Sequence, residues 1–333
     1  DLNMSLYSRE EEKEPCPCAD VRTIIACVRA CQLVNENYET EESVDELVKD
    51  IYAHIDHVHL QARNEIWGTS VMISVSDTLN YIMVAFGNKN NTYDHEKTRP
   101  EFNLVSFGEK DSHFPSSLLK VYDFFNESYF EVGLHHSIEE YVEILTGIYP
   151  KKNLIFTGHH AGAASAVICS LSVMMSSPHL NASVITFGCP RIGNDNFQAF
   201  TDDISNLNIW RYIYENDYVT QIPSSAYCHV GYLITLSDFD GAKLYNPGND
   251  YETKKKDNVF QSLDKNYRFP SALESTSQLS KYFDYLFSKA MVDPSRFYLS
   301  EEQFVTSIRN EDELSKDTKD GLFDFLASCS CLP

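Results

Sequence analysis

Leu154-Ile155-Phe156-Thr157-Gly158-His159-His160-Ala161-Gly162-Ala163-Ala164-Ser165 is the stretch that decides the fold. The apolar run from Asn153 to Thr157 reads as a short buried strand. Gly158 and Gly162 flank a tight turn, where missing side chains permit a cramped backbone and close packing. A small-residue helix then starts at Ala163 and carries Val167, Ile168 and Leu171. Strand, sharp turn and closely packed helix form the context of a G-x-S-x-G nucleophile turn. The central position here is His160, where that motif has serine.

Working outward, the flanking segments keep a consistent order. Ile185-Thr186-Phe187-Gly188-Cys189-Pro190-Arg191-Ile192-Gly193-Asn194 follows the turn, then Trp210-Arg211-Tyr212, Asn216-Asp217-Tyr218-Val219, Ile222-Pro223 and His229-Val230-Gly231. Upstream lie Tyr81 to Phe86 and Lys120 to Phe125. These words resemble the class 3, fungal-type lipases of the α/β-hydrolases: GHSLGGAL at the turn, TFGxPRxGN, the R-v…ND-x-V…x-P stretch, HxG, the strand leading to the oxyanion hole, and K-V-H-x-G-F. The resemblance spans roughly residues 65 to 290. It implies an α/β-hydrolase fold, with a mainly parallel central sheet and helices on both faces. Strands separated by helices point the same way.

Acyl transfer on that fold needs a hydroxyl nucleophile, a histidine base, an orienting carboxylate and oxyanion donors. His160 stands at the nucleophile position, and the chain contains neither G-x-S-x-G nor G-x-C-x-G. Ser165 is expected inside the helix and turned away from the apex. By the resemblance Asp217 is the retained acid, and the triad order is nucleophile, acid, histidine. His229 is the one histidine beyond Asp217, and it matches HxG rather than the triad base. The family's D-H-x-x-Y-F segment corresponds to Ser277-Gln278-Leu279-Ser280-Lys281-Tyr282-Phe283, with Gln278 in place of histidine and one extra residue. Phe86-Gly87-Asn88-Lys89 replaces the usual F-R-G-T/S, so the oxyanion positions are Asn88 and the residue after the apex, Ala161. The following segment, Asn88 to Lys110, is polar and lacks the tryptophan of the family's lid.

Loss of nucleophile and base together implies a pseudo-lipase, which acts by binding a lipid or other apolar ligand, or a protein partner. The alternative is a lipid-ester hydrolase with rewired catalytic residues, one version using His160 itself. No cofactor is expected. A metal held by His159, His160 and Asp217 is disfavoured, because adjacent residues on a sharp turn should point apart. His159 is then expected to be a buried hydrogen-bonding residue. His54, His57 and His59 are expected at the surface or core edge, and His135-His136 to open a helix without a ligand role.

Composition bounds the rest. The 333 residues are 43% hydrophobic, enough for one large core. With 27 basic and 49 acidic residues, the net charge of −22 argues against nucleic acid as a partner and disfavours anionic membrane surfaces, leaving zwitterionic or neutral lipid open. No apolar run is long enough to span a bilayer. The chain is expected to be secreted or in a secretory lumen, with any signal segment already removed or never present. Sequons at Asn3, Asn90, Asn126 and Asn181 are glycosylation candidates. Cys16, Cys18, Cys27, Cys31, Cys329 and Cys331 cluster at the two ends and are expected to form disulfides, connectivity open. Cys169, Cys189 and Cys228 are expected to be small buried apolar groups.

One domain is expected. It divides into a cysteine-tied extension over 1–64, acidic over 1–15 and then helical to about residue 62, a core over 65–290 and a C-terminal helical segment over 291–333. Strands are expected near 69–76, 80–87, 184–187, 209–214 and 232–236. Helices are expected over 118–130, 137–149, 273–289 and beyond 300, with loops at 88–117 and 240–270.

Overall fold

The computed structural model describes residues 21–34, 52–63, 68–88, 103–108, 117–130, 134–215, 217–223, 226–238, 241–245 and 272–292. Its centre is an eight-stranded sheet in the order β1-β2-β3-β6-β7-β8-β9-β10. The strands are β1 (His57–Arg63), β2 (Thr69–Ser76), β3 (Tyr81–Asn88), β6 (Asn153–His159), β7 (Ala182–Phe187), β8 (Leu207–Tyr214), β9 (Tyr232–Ser237) and β10 (Gly241–Tyr245). β1, β2 and β3 pair antiparallel; β3, β6, β7, β8 and β9 are parallel; β10 returns antiparallel on β9. A separate two-stranded ribbon joins β4 (Leu104–Ser106) to β5 (Lys120–Tyr122).

Parallel strands need crossovers, and the helices that make them cover the sheet's faces. One face is packed by α2 (Asp123–Phe130), α3 (Leu134–Ile148) and α4 (Ala161–Ser176). The other is packed by α1 (Val21–Leu33) and α6 (Ala272–Val292), around Met72, Met83, Ile155, Ile185 and Trp210. A short helix, α5 (Asp195–Asp202), is capped by Asn194, whose side chain accepts from the Phe197 N–H. Residues on the middle strands are buried on both faces, so that β3 reads as a continuous apolar run from Tyr81 to Phe86, whereas β2 buries Thr69, Ser70, Ser74 and Ser76 among its apolar residues.

Several expectations change. β1 occupies 57–63, inside the region read as helical, because Val58, Leu60 and Ala62 alternate against β2. The helix expected over 118–130 starts only at Asp123, since Lys120–Tyr122 is taken up by pairing with Leu104–Ser106. Within the expected loop at 240–270, Gly241–Tyr245 forms the edge strand β10. Residues 293–333 lie outside the described residues, as do Cys16, Cys18, Cys329, Cys331, Asn3 and Asn90.

Cys27 and Cys31 are thiols, which overturns their assignment as disulfide staples. They sit one helical turn apart on the buried face of α1, facing the sheet, where Cys31 Sγ lies 3.5 Å from Thr157 Oγ1. Burial raises the Cys31 thiol to about 12 and pushes Cys27 up as well. Cys169 and Cys189 are buried thiols, as expected, whereas Cys228 is only half-buried and bonds Asp195 Oδ1. The sequon at Asn126 is also corrected: its side chain is buried in α2 and accepts from the Gly108 N–H, leaving no room for a glycan. Asn181 is exposed.

Alkylation of the native, unreduced protein is expected to leave Cys27, Cys31, Cys169 and Cys189 unmodified, and denaturant without reductant to make all four reactive. Peptide mass spectrometry that recovered Cys27 or Cys31 as a disulfide would contradict this account.

Candidate active-site remnant

The turn after β6 is held by three close approaches. A Cβ on Gly158 would collide with the Gly162 carbonyl, and one on Gly162 would lie 2.5 Å from the Phe86 carbonyl oxygen at the end of β3. The third is Gly188, just beyond β7, at φ +58; a Cβ there would strike the Asp217 carboxylate and the His160 ring. These glycines let strand ends, turn and helix crowd together. His160 pays for that crowding with φ 51 and ψ −117, a backbone state L-residues rarely adopt. Its N–H donates to the Phe187 carbonyl at 3.1 Å, and its carbonyl accepts from the Ala163 N–H at 3.0 Å. The strained apex of a nucleophile turn is therefore kept although no hydroxyl stands on it.

From this apex His160 reaches across to Asp217. His160 Nε2 is 3.1 Å from Asp217 Oδ2, with both side chains nearly buried. Tyr282 of α6 donates its hydroxyl to the same oxygen at 2.8 Å. Oδ1 accepts from the Val219 N–H at 3.2 Å, so Asp217 also caps the 3-10 turn Tyr218–Gln221 that follows β8. Burial by itself would raise the Asp217 pKa, but His160, His159 and the Tyr282 hydroxyl outweigh it and hold the carboxyl at about 2. An ionised carboxylate only accepts, so His160 presents its proton on Nε2.

His159 departs from expectation. The two adjacent rings do not point apart: they stack with centroids 3.6 Å apart and an interplanar angle of 27°. The positive φ at His160 folds its side chain back beside its neighbour. His159 is buried, yet its Nε2 has no hydrogen-bond partner among the described residues. Burial first, and the neighbouring His160, push its pKa well below the ordinary histidine value. His159, His160 and Asp217 bring one ligand-capable atom each to within 4.8 Å of one another.

The other candidates scatter around this centre. Ser165 is buried in α4 and donates to the Ala161 carbonyl at 3.3 Å, away from the apex as expected. Ala161 is the first residue of α4, and Asn88 is the last residue of β3, two beyond Phe86. Gln278 lies one turn before Tyr282 on α6, its Oε1 buried and without a partner among the described residues. His229 is buried between Cys228, which bridges to Gly193, and Val230, whose carbonyl accepts from Arg211; it is not one of the clustered groups. His57 is exposed, His54 and His59 are half-buried, and His135 is buried near the start of α3. Tyr282 is the participant that sequence reasoning passed over, although it was in view as the tyrosine of the Gln278 segment.

Residues 75–227 match the family model for Lipase (class 3). Phospholipase A1-IIalpha of Arabidopsis thaliana is 26% identical over 102 residues, covering 28% of this chain and 24% of that protein. A secreted mono- and diacylglycerol lipase 2 of Gibberella zeae is 35% identical over 60 residues, covering 18% of this chain and 15% of that protein. The matches thus span less than a third of the length of these curated relatives. The solved triacylglyceride lipase of Rhizomucor miehei superposes with a TM-score of 0.59 at 18% identity, over 69% of this chain and 86% of that one. The fold is that of the α/β-hydrolases, with a mainly parallel sheet covered by helices.

Asp217 ties acid stability to this site. Its folded pKa of about 2 lies below the ordinary 3.8, so its contribution is complete above about pH 4 and is lost as pH falls through 2. The shift corresponds to about 2 kcal/mol. Urea midpoints measured from pH 5 to 2 are expected to fall less steeply in Asp217→Asn than in wild type; parallel curves would remove Asp217 from the account.

Proposed function

We propose that this chain is a class 3 lipase-type protein that has left the serine acyl-enzyme route and acts by binding a lipid-like apolar ligand. The observation that carries this reading is the 3.1 Å contact between His160 and Asp217. In a Ser–His–Asp triad the carboxylate orients a histidine that serves a separate nucleophile. Here the apex residue itself reaches the carboxylate, so one side chain spans the place of two. Tyr282 takes a further bond to Asp217 from α6, the helix whose preceding turn carries Gln278 instead of a base.

Family resemblance and the retained turn favour a lipid or fatty-acid ligand over a purely protein partner. A binding role needs an apolar site for the ligand and does not need the groups that break an ester. Secretion belongs to the same reading, supported by the relative described as secreted. Among the described residues no helix is long and apolar enough to cross a membrane.

One observation favours the rival. A histidine fixed by a carboxylate is the pairing used by general bases, and His160 holds it beside the Ala161 oxyanion position. Water, rather than serine, would then be the nucleophile.

Incubation with a fluorophosphonate probe and a panel of short- and long-chain esters, triacylglycerol and phospholipid separates the two. The expected outcome is no labelling, turnover indistinguishable from His160→Ala, and lipid recovered on extraction of the purified protein. Ester turnover that disappears in His160→Ala would establish the rival, while inactive protein free of lipid would shift the reading to a protein partner.

A further inference from the structure

We propose that His159, His160 and Asp217 form a binding site for a divalent transition-metal ion of the Zn2+ type. The site goes beyond lipid binding and requires none. Three ligating side chains, all buried, converge with their donor atoms within 4.8 Å of one another. Two imidazoles and a carboxylate are a donor set suited to zinc and its neighbours, whereas calcium and magnesium take six or more oxygens.

The distances suit that ion. Tetrahedral bonds of about 2 Å place neighbouring donors about 3.3 Å apart. His160 Nε2 and Asp217 Oδ2 are already 3.1 Å apart. The second, independent observation is His159, whose buried Nε2 has no partner among the described residues. A buried imidazole nitrogen without a partner, beside a histidine–carboxylate pair, points to a ligand at that place.

Coordination asks for one local change. Stacked at 27°, the two rings must open for both lone pairs to meet one ion. Turning the His159 ring breaks no hydrogen bond at Nε2. The ion replaces the proton on His160 Nε2, which leaves to solvent, so binding weakens with acidification. The full charge of Asp217 opposes the partial positive charge of about half a unit at the start of α4. Tyr282, donating to Asp217 Oδ2, steadies the carboxylate as outer hydrogen bonds commonly do for metal ligands. Three protein ligands leave a fourth tetrahedral position for water or a ligand atom.

The experiment is a Co2+ titration of chelator-treated full chain, followed by visible absorption and by Zn2+ competition, with circular dichroism to confirm folding. Wild type is expected to bind one ion per chain with tetrahedral cobalt bands. Tyr282→Phe should weaken binding by about 10–100-fold, as loss of an outer partner does. His159→Ala and His160→Ala should each weaken it more. His159→Ala keeps the His160–Asp217 bond, so it tests coordination without removing the site's own pairing. Absence of a one-to-one complex in wild type would overturn the proposal. So would binding that persists unchanged in His159→Ala and His160→Ala, or a cobalt–thiolate charge-transfer band showing that cysteines hold the ion.

Discussion

A carboxylate buried at the ends of parallel strands cannot stand alone, and Asp217 constrains everything around it. An ionised group removed from water needs an opposite charge or several donors. Asp217 obtains the Val219 N–H, the Tyr282 hydroxyl and His160. Those partners come from the turn after β8, from α6 and from the turn after β6, so one side chain ties three separate elements together. In an intact triad a separate histidine supplies the main bond. Here His160 makes a bond to the carboxylate from the apex, one of the three contacts that hold it.

The backbone explains the conformation of the apex. The conformation of His160 is imposed by Gly158, Gly162 and Gly188, whose missing side chains allow the Phe86 carbonyl, α4 and Asp217 to approach so closely. Its strain is therefore a property of how β3, β6, β7 and α4 pack, and replacing the apex side chain does not relieve it. The same curl places His159 and His160 face to face. Sequence logic placed neighbouring residues on opposite sides of a turn, as they would be in extended chain, and left out the positive φ that reverses the relation.

Legibility in the sequence follows the range of the forces involved. The middle strands announce themselves because burial on both faces makes them continuous apolar runs, and α4 because small residues follow a glycine turn. β1 was hidden, since His57, His59 and Gln61 mask the alternation of Val58, Leu60 and Ala62 until β2 supplies a partner. Lys120–Tyr122 looks helical until Leu104–Ser106 claims it. Cys27 and Cys31 read as staples by clustering at a chain end, yet their spacing of four along α1 already put both on one buried face. His160, Asp217 and Gln278 were recoverable from motifs. The Tyr282 bond was not, because it depends on where α6 lies in three dimensions, and no local pattern encodes that.

Two apolar clusters lie on opposite faces of the sheet, one under α2, α3 and α4 and the other under α1 and α6, and Tyr282 of the second reaches Asp217. Burial of that apolar surface is the dominant favourable term in folding and scales with area, not with the identity of three polar groups at the strand ends. The identity of the apex side chain contributes little to it. A buried carboxylate is different, since unpairing it destabilises the whole site. Asp217 is accordingly the group of this site whose pairing the surrounding structure most requires. At the strand ends His159, His160 and Asp217 form a buried polar cluster on a strained turn, framed by those two apolar layers.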